Sequence, residues 1–384
     1  MKRIVIWGST GSIGQNTLEV IRQHADQFEV VGLAAGGNAE EMIRQVEEFR
    51  PRMISMADEE AVEKVKGAVS YPVEAVWGEE GLLTLASLDE ADFVVSAIVG
   101  SRGLPPTLTA IRAGKTIGLA NKETLVMGGS LVMEEAKKAG VSVLPVDSEH
   151  SAIFQAMNGE RADRVRRIIL TASGGAFRDW PRDRLATATR EEALNHPNWS
   201  MGAKVTIDSA TMMNKGLEVI EARWLFDLPY DRIDVLIHPE SIVHSLVEYE
   251  DGAVMAELGT PDMKVPIQYA LTYPDRLPLA TEPLDLAAIG KLHFREPDYE
   301  RFPCLKIAYT CGRAGGTMPT VMNAANEVAV ERFLAGGLSF PAIEEIIEEV
   351  LSRHTPRTNP RLEDLFEADR WARETAQHCG VRVG

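Results

Sequence analysis

Close to its beginning the chain reads Ile4-Val5-Ile6-Trp7-Gly8-Ser9-Thr10-Gly11-Ser12-Ile13-Gly14. The four apolar residues at 4–7 predict a short buried strand, and the glycines after them predict a tight turn. Apolar residues with helical spacing follow at 18–21. Strand, glycine turn and helix in this order are typical of a dinucleotide-binding fold, in which the glycines let the backbone approach a pyrophosphate at the helix N-terminus. The spacing G-x-x-G-x-x-G is a variant of the usual fingerprint.

More strand-like runs follow the glycine turn and alternate with helical stretches. They lie at residues 29–35, 53–56, 93–99, 116–120 and 141–146. Such alternation predicts an α/β fold with a parallel sheet. We therefore expect an N-terminal Rossmann-like domain over residues 1–146.

The end of the second predicted strand indicates which dinucleotide is used. It reads Gly36-Gly37-Asn38, without the Asp or Glu that usually holds the ribose 2′-hydroxyl of NAD. The absence of that acid favours NADP. No Lys or Arg stands there either, and Arg44 lies further along the next helix. We therefore expect NADPH to be preferred to NADH by a modest margin.

Three carboxylates suggest a metal site. Asp147 and Glu149 follow a predicted strand, and alternate residues of a strand point to the same face. Glu218 lies on a predicted helix with Asn214 and Lys215, which are four and three residues away and can share its face. Carboxylate oxygens suit Mg²⁺ or Mn²⁺, and the neighbouring ammonium suits an anionic substrate. The alternative is that the first two are solvated loop residues and Glu218 a surface residue.

The composition limits the classes of function. The chain has 384 residues and a formal net charge of −17, which argues against nucleic-acid or anionic-membrane binding. Its three cysteines show no C-x-x-C spacing, as expected for a reducing compartment without a disulfide framework. We see no signal peptide and no membrane-spanning run, so a cytoplasmic location is expected.

A central α+β domain is expected at residues 147–276. Residues 165–170 predict a strand, and Ser173-Gly174-Gly175 after it form either a phosphate-binding turn or a plain loop. Residues 205–207 predict another strand, and residues 208–211 predict an N-cap for the helix of Glu218. Residues 241–258 predict a β-hairpin.

The segment 196–202, His-Pro-Asn-Trp-Ser-Met-Gly, is polar and irregular apart from its Trp and Met. It is typical of a flap that closes over a ligand, although Trp199 packed at the edge of a core is the alternative. Pro274, Pro278, Pro283 and Pro297 indicate a loop-rich connector, which we place at residues 277–298. Helical spacing at 320–334, 342–354 and 362–379 then predicts a helical C-terminal domain over residues 299–384.

Taken in order, these motifs resemble the 1-deoxy-D-xylulose 5-phosphate reductoisomerase family along nearly the whole chain. The resemblance rests on residues 8–14, 120–123, 145–150, 173–175, 196–202, 208–218 and 323–327. It implies an NADPH-dependent and metal-dependent enzyme of non-mevalonate isoprenoid biosynthesis, acting as a homodimer on a small phosphorylated substrate.

The resemblance also implies residue roles. The NADPH-binding residues would be Thr10, Gly11, Ser12, Ile13, Gly36, Gly37, Asn38, Asn121, Glu123 and Gly202. The metal ligands would be Asp147, Glu149 and Glu218. The substrate would contact Lys122, Ser148, Glu149, Ser173, His196, Trp199, Ser209, Asn214, Lys215 and Glu218. Lys122 and Glu149 would be the catalytic residues, with a metal-bound water as another candidate for proton transfer. Many relatives carry a basic residue where Gly37 stands.

The implied reaction converts 1-deoxy-D-xylulose 5-phosphate to 2-C-methyl-D-erythritol 4-phosphate. The C3–C4 bond breaks in a metal-assisted retro-aldol step, the fragments rejoin as a branched aldehyde phosphate, and NADPH reduces the aldehyde. Two other classes remain open from the residues alone. One is a metal-free NAD(P) oxidoreductase, and the other is a dinucleotide sensor without catalysis.

Overall fold

The computed structural model describes residues 1–379, which divide into two compact units. The first unit contains Met1–Thr124, Ser130–Ser151 and Asp262–Thr281. The second contains the remaining described residues. The four-part division expected from the sequence stays a prediction. No helix of the described residues has the length and apolarity needed to cross a membrane.

The first part of the chain alternates strands and helices. The strands are β1 (Lys2–Trp7), β2 (Phe28–Ala34), β3 (Met53–Met56), β4 (Glu74–Trp77), β5 (Phe93–Ser96), β6 (Thr116–Leu119) and β7 (Val143–Pro145). The helices are α1 (Ser12–Gln23), α2 (Ala39–Phe49), α3 (Glu59–Lys66), α4 (Gly78–Ala86), α5 (Leu104–Arg112), α6 (Lys122–Ala139) and α7 (Ser148–Ala156).

The seven strands of the first unit form one parallel sheet in the order β4-β3-β2-β1-β5-β6-β7. The strand order reverses at β1, which has β2 on one side and β5 on the other. In open parallel sheets, ligands bind outside the carboxyl ends of the strands at such a reversal. The glycine turn stands at this place because it directly follows β1. The predicted Rossmann-like sheet is thus confirmed, and β4 is a strand that the sequence reasoning missed.

The second part of the chain has fewer strands and more helices. Its strands are β8 (Val165–Ala172), β9 (Ile233–Ile237), β10 (Val243–Tyr249) and β11 (Val254–Leu258). Its helices are α8 (Arg182–Leu185), α9 (Arg190–Ala193), α10 (Ala203–Thr211), α11 (Met213–Leu225), α12 (Lys264–Thr272), α13 (Leu286–Ile289), α14 (Pro303–Ala314), α15 (Met318–Leu334), α16 (Ala342–Arg353) and α17 (Leu362–His378).

A four-stranded mixed sheet in the order β11-β10-β8-β9 lies in the second unit. Its core includes side chains from β8 and β9, from α10 and α11, and from the C-terminal helices α14 to α17. The predicted hairpin is confirmed as the antiparallel pair β10 and β11, and the helical C-terminal region is confirmed as well. The last predicted helix ends at His378 rather than at residue 379.

Two local predictions were wrong. Residues 205–207 are β-branched, which favours a strand, but they lie inside helix α10. Burial of Thr206 and Ile207 on the inner side of this helix outweighs their local preference. Residues 208–211 therefore end α10 and do not cap α11. The actual boundary is Met212, whose backbone is left-handed with φ 64°.

A third correction concerns the two carboxylates after β7. That strand ends at Pro145, and helix α7 begins at Ser148. Glu149 is therefore in the first turn of a helix, and Asp147 directly precedes it. The strand alternation used to place both carboxylates on one face does not apply, although they remain close in sequence at a helix N-terminus.

Candidate active site

The glycine turn after β1 is shaped by close backbone packing. Gly8 has φ +77°, and a Cβ atom added to it would lie 2.4 Å from the carbonyl oxygen of Ala97. A Cβ on Gly14 would lie 2.3 Å from the carbonyl oxygen of Gly8. Gly11 is the N-cap of α1 and supplies no capping side chain. Because glycine has no side chain, Gly11 does not cap the first backbone N–H groups of α1. These N–H groups therefore suit a pyrophosphate bound at residues 10–13.

Gln45 supports this turn and was missed by the sequence reasoning. It lies on α2, is almost fully buried, and its Nε2 donates to the carbonyl oxygen of Ser9 over 3.0 Å. Nothing local in the sequence marks this residue, because the contact joins two segments 36 positions apart.

The end of β2 is open, as the expected cofactor site requires. Gly36 and Gly37 are exposed, and a Cβ atom on either would meet no other atom within 4 Å. Asn38 caps α2 by accepting a hydrogen bond from the backbone N–H of Glu41. The loop therefore has room for a ribose and for a larger side chain at position 37.

The other proposed cofactor residues have different surroundings. Asn121 is buried and caps α6: its Oδ1 accepts from the N–H of Thr124 over 2.8 Å, and its Nδ2 donates to the carbonyl oxygen of Gly100 over 2.9 Å. It thus joins the loops that follow β5 and β6. Glu123 is buried in the first turn of α6. Gly202 belongs to the second unit, where it is the N-cap of α10.

The first unit brings together Lys122, Asp147, Ser148 and Glu149. The Nζ atom of Lys122 lies 2.8 Å from Oδ2 of Asp147, and both side chains are largely buried. The hydroxyl of Ser148 donates to Oε2 of Glu149 over 2.6 Å. Glu149 lies in the first turn of α7, and the N-terminus of that helix favours a negative charge there. The ammonium of Lys122 thus lies beside the carboxylate of Asp147, and the carboxylate of Glu149 follows two residues later in the chain.

The second unit holds Glu218 in a buried polar group on α11. Glu218 is 1% exposed and Lys215 is 4% exposed, and the two form a close ion pair. The Nδ2 atom of Asn214 donates to Oε1 of Glu218 over 2.5 Å. The helical i,i+3 and i,i+4 spacing expected from the sequence therefore does place these three side chains together.

Ser173 and His196 meet at the turn after β8. The Nε2 atom of His196 lies 2.9 Å from Oγ of Ser173. The Nδ1 atom of the same ring accepts hydrogen bonds from the backbone N–H groups of Asn198 and Trp199 over 3.1 and 2.9 Å. Because Nδ1 is an acceptor, the ring proton belongs on Nε2, which donates to Ser173. Ser173 Oγ also accepts from the N–H of Gly175 over 3.1 Å.

These roles determine what the Ser173 hydroxyl offers a ligand. Its oxygen receives hydrogen bonds from His196 and Gly175, so its own hydrogen points elsewhere and suits an anionic oxygen. Ser209 is adjacent, because a Cβ on Gly175 would lie 2.4 Å from its carbonyl oxygen. The turn is therefore better suited to a phosphate than a plain loop would be.

The segment that carries Trp199 is irregular and is held at two points. Besides the two N–H groups on His196, the Nδ2 atom of Asn198 donates to the carbonyl oxygen of Pro239 and to Oγ of Ser241, over 2.6 and 2.7 Å. The Trp199 side chain is half-buried, and its ring centroid lies 6.4 Å from that of His244. Closure of this segment over a ligand stays a prediction.

Asp208 lies in the predicted helix cap, but in the structure it is a buried anchor of α10. It is 1% exposed, and its carboxylate lies 2.8 Å from both Nζ of Lys204 and Nδ2 of Asn326. The lysine four residues earlier on the same helix was a sequence signal for this ion pair. The contact with α15 fixes the helix that presents Ser209.

Together, the glycine turn at the strand reversal and the polar groups of the second unit define a dinucleotide-dependent enzyme that acts on an anionic substrate. Family models agree with this class and are more specific. A model described as 1-deoxy-D-xylulose 5-phosphate reductoisomerase matches residues 4–129, and two C-terminal domain models of the same enzyme match residues 143–226 and 258–375.

Relatives match the chain at nearly full length. A 1-deoxy-D-xylulose 5-phosphate reductoisomerase of a Geobacillus species is 60% identical over 370 residues, covering 96% of this chain and 97% of the relative. The enzyme of that name from Bacillus subtilis is 57% identical over 372 residues, covering 96% and 97%.

Solved structures agree. The enzyme from Zymomonas mobilis in complex with NADPH has a TM-score of 0.92 and 43% identity, with 98% of each chain covered. A DOX-P reductoisomerase in complex with NADPH, fosmidomycin and magnesium has a TM-score of 0.91, 43% identity and the same coverage. The chain belongs to the 1-deoxy-D-xylulose 5-phosphate reductoisomerase family, and the resemblance seen in the sequence is confirmed.

Proposed function

We propose that the protein converts 1-deoxy-D-xylulose 5-phosphate to 2-C-methyl-D-erythritol 4-phosphate, with NADPH as the reductant and Mg²⁺ or Mn²⁺ as the activating ion. Family membership supports the reaction. The observation of geometry that carries the proposal is the Ser173 turn, whose hydroxyl is oriented by His196 and suits a phosphate. We expect fosmidomycin to bind at the substrate site, because a solved relative forms a complex with this compound.

The substrate phosphate is assigned to the second unit. Ser173, Ser209, Asn214 and Lys215 would bind it and the neighbouring hydroxyls, and Trp199 would cover them. The phosphate is remote from the C3–C4 bond. Its binding would anchor the two-carbon fragment that carries it, so that this fragment stays bound between cleavage and rejoining. The ammonium of Lys215 adds an attraction for the anionic group.

The carboxylates fit a divalent cation. The family resemblance proposes Asp147, Glu149 and Glu218 as its ligands, and a donor set of carboxylate oxygens suits Mg²⁺ or Mn²⁺. When bound, the ion would lower the pKa of the substrate hydroxyl at C3. Asp147 is held by Lys122, and Glu149 is held by Ser148, so both carboxylates are oriented by the chain itself.

Lys122 and Glu149 are the proposed proton carriers. The Nζ atom of Lys122 has a proton to give and lies beside Asp147. Glu149 accepts a hydrogen bond from Ser148, and a carboxylate can serve as a general base. The cofactor is assigned to Thr10 to Ile13, Gly36 to Asn38, Asn121, Glu123 and Gly202, and would supply the hydride that reduces the aldehyde.

One assay tests the proposal against its rivals. NADPH oxidation is followed with the ketose phosphate, in the presence of Mg²⁺ or Mn²⁺ and after chelation of divalent ions. Turnover that requires the ion supports the proposal. Turnover that persists after chelation supports a metal-free oxidoreductase, and NADPH binding without turnover supports a sensor.

We also propose that the protein works as a homodimer in the cytoplasm. Strand β11 forms one edge of its sheet, and Val254, Met255 and Leu258 on it are exposed. An exposed apolar edge strand favours pairing with a second copy. Light scattering at micromolar concentration should give the mass of two chains, and a stable monomer would contradict the proposal.

A further inference from the structure

The Ser173 turn has a backbone that needs support. Gly174 and Gly175 have φ +84° and +70°, in the left-handed region that side chains rarely adopt. Two successive glycines have many accessible conformations, so holding the pair in this one costs conformational entropy. On one side the turn packs against Ser209, as described above. Its other side is covered by Arg178.

Arg178 contacts the turn with both its stem and its charged group. A Cβ atom on Gly174 would lie 2.6 Å from Cγ of Arg178, so the arginine stem occupies the space beside that glycine. The Nη1 atom of Arg178 donates to the carbonyl oxygen of Ser173 over 2.9 Å. The residue that presents the phosphate-binding hydroxyl is thus held through its own backbone.

The guanidinium of Arg178 is itself held in place. Its Nε donates to Oδ2 of Asp179 over 3.0 Å, and Oδ1 of Asp179 accepts from Nη2 of Arg295 over 2.8 Å. The hydrogen bond from Arg295 has the largest effect on the pKa of Asp179, and together with the hydrogen bond from Arg178 it keeps that pKa below its usual range. The backbone of Arg295 pairs with Ile237 at the end of β9, so this chain of contacts ends on the sheet.

We propose that Arg178 is a positioning residue for phosphate recognition. It holds the carbonyl of Ser173, so that the Ser173 hydroxyl stays directed at the substrate phosphate. The inference rests on the proposed function, because it assigns the phosphate to this turn. The positive charge of Arg178 is close enough to the turn to favour an anion there, but the hydrogen bonds of Arg178 are made to Ser173 and Asp179.

The test compares Arg178→Met, which keeps the length of the stem, with Arg178→Lys and with a control. The control is Arg184→Met, which removes an arginine that stacks on Trp180 in the neighbouring segment. We expect Arg178→Met to raise the KM for the ketose phosphate about tenfold, as for loss of a charged hydrogen bond. The KM for NADPH should stay unchanged, and the control should keep both values.

A second substrate separates positioning from a general loss of structure. The dephosphorylated ketose cannot use the turn, so its kcat/KM should be the same in Arg178→Met and in the unmodified protein. Where its turnover is too slow to follow, its inhibition constant against the ketose phosphate serves instead. Addition of millimolar guanidinium ion to Arg178→Ala should recover part of the lost activity with the phosphorylated substrate only.

Three outcomes would overturn the inference. The first is an unchanged KM for the ketose phosphate in Arg178→Met, and the second is an equal loss of activity with both substrates. The third is a loss of activity that is fully explained by a lower melting temperature of the variant. Failure of the proposed function is a different result. In that case the unmodified protein does not turn over the ketose phosphate at all, whatever stands at position 178.

Discussion

The imidazole of His196 joins the substrate turn to the Trp199 segment. Its Nε2 lies 2.9 Å from the hydroxyl oxygen of Ser173, while its Nδ1 receives the N–H groups of Asn198 and Trp199. One ring therefore contacts both the group proposed to bind phosphate and the backbone of the segment proposed to close over it. A ligand that moves Ser173 can affect Trp199 through this ring.

Trp199→Ala is expected to weaken substrate binding without unfolding the protein. The ring is only half-buried, so its loss should lower the melting temperature by no more than about 2 °C, while the KM for substrate rises about tenfold. Kinetics and thermal unfolding of the same preparation check both parts. A drop of many degrees without ligand would instead make Trp199 a packing residue.

The fluorescence of Trp199 provides an independent measurement. The chain has six tryptophans, so a variant that keeps Trp199 and replaces the other five reports on this segment alone. Addition of fosmidomycin should shift its emission to the blue as the ring leaves water. An unchanged spectrum at saturating ligand would show that the segment does not close.

Replacement of the proposed metal ligands should abolish turnover and spare cofactor binding. Asp147→Asn, Glu149→Gln and Glu218→Gln should each lower kcat by at least about a hundredfold, because a bound ion contributes several kcal/mol to such steps. Initial rates in limiting Mn²⁺ and NADPH titration by fluorescence check this. Near-normal activity in any of the three would remove that residue from the ligand set.

The matched control is Glu134→Gln, since the Glu134 carboxylate is 61% exposed on α6. Glu218→Gln needs a further control, because it leaves Lys215 buried beside a neutral side chain. Its melting temperature should fall as well. Its rate is therefore compared at a temperature where the variant is folded.

Gly37→Arg should strengthen the preference for NADPH. A Cβ atom added to Gly37 would have no other atom within 4 Å, so an arginine here can extend towards a ligand without displacing protein groups. A charge-assisted contact with the 2′-phosphate should raise the ratio of kcat/KM for NADPH over NADH about tenfold. Gly37→Ala, which adds no charge, should leave the ratio unchanged, and equal ratios in both variants would argue against this position as the 2′-phosphate contact.

Glu344 is expected to make stability depend on pH. Burial, aided by Glu348 and Glu345, raises the pKa of Glu344 to about 7, while Arg182 acts in the opposite direction. The folded state therefore favours the protonated carboxyl. Its stabilising contribution is complete below about pH 4.5 and is lost as the pH rises through about 7.

Glu344→Gln removes this dependence. The carboxyl is partly exposed, so solvent screening reduces the effect to about 1 kcal/mol. The unmodified protein loses this contribution as the pH rises, and the variant does not. The melting temperature of the variant minus that of the unmodified protein should therefore increase by about 1 °C between about pH 5 and about pH 8. Glu331→Gln, at an exposed position of α15 that does not contribute to the pKa of Glu344, is the control. A change in the opposite direction would mean that the ion pair with Arg182 outweighs burial.

The sequence by itself determined the parts of the protein that depend on neighbouring residues. The glycine turn after β1, the alternation of strands and helices, the hairpin of β10 and β11 and the C-terminal helices all follow from local spacing. So does the grouping of Asn214, Lys215 and Glu218, because helical periodicity alone places them on one face. The family resemblance supplied the remaining residue roles.

Only the tertiary structure decided the features that depend on contacts between distant residues. Residues 205–207 favour a strand locally, but burial of Thr206 and Ile207 and the anchor from Asn326 to Asp208 hold them in α10. The tautomer of His196 depends on the positions of Asn198, Trp199 and Ser173 together. Arg178 is one of many arginines in the sequence, and its contact with the Ser173 carbonyl exists only because the turn folds back over its stem.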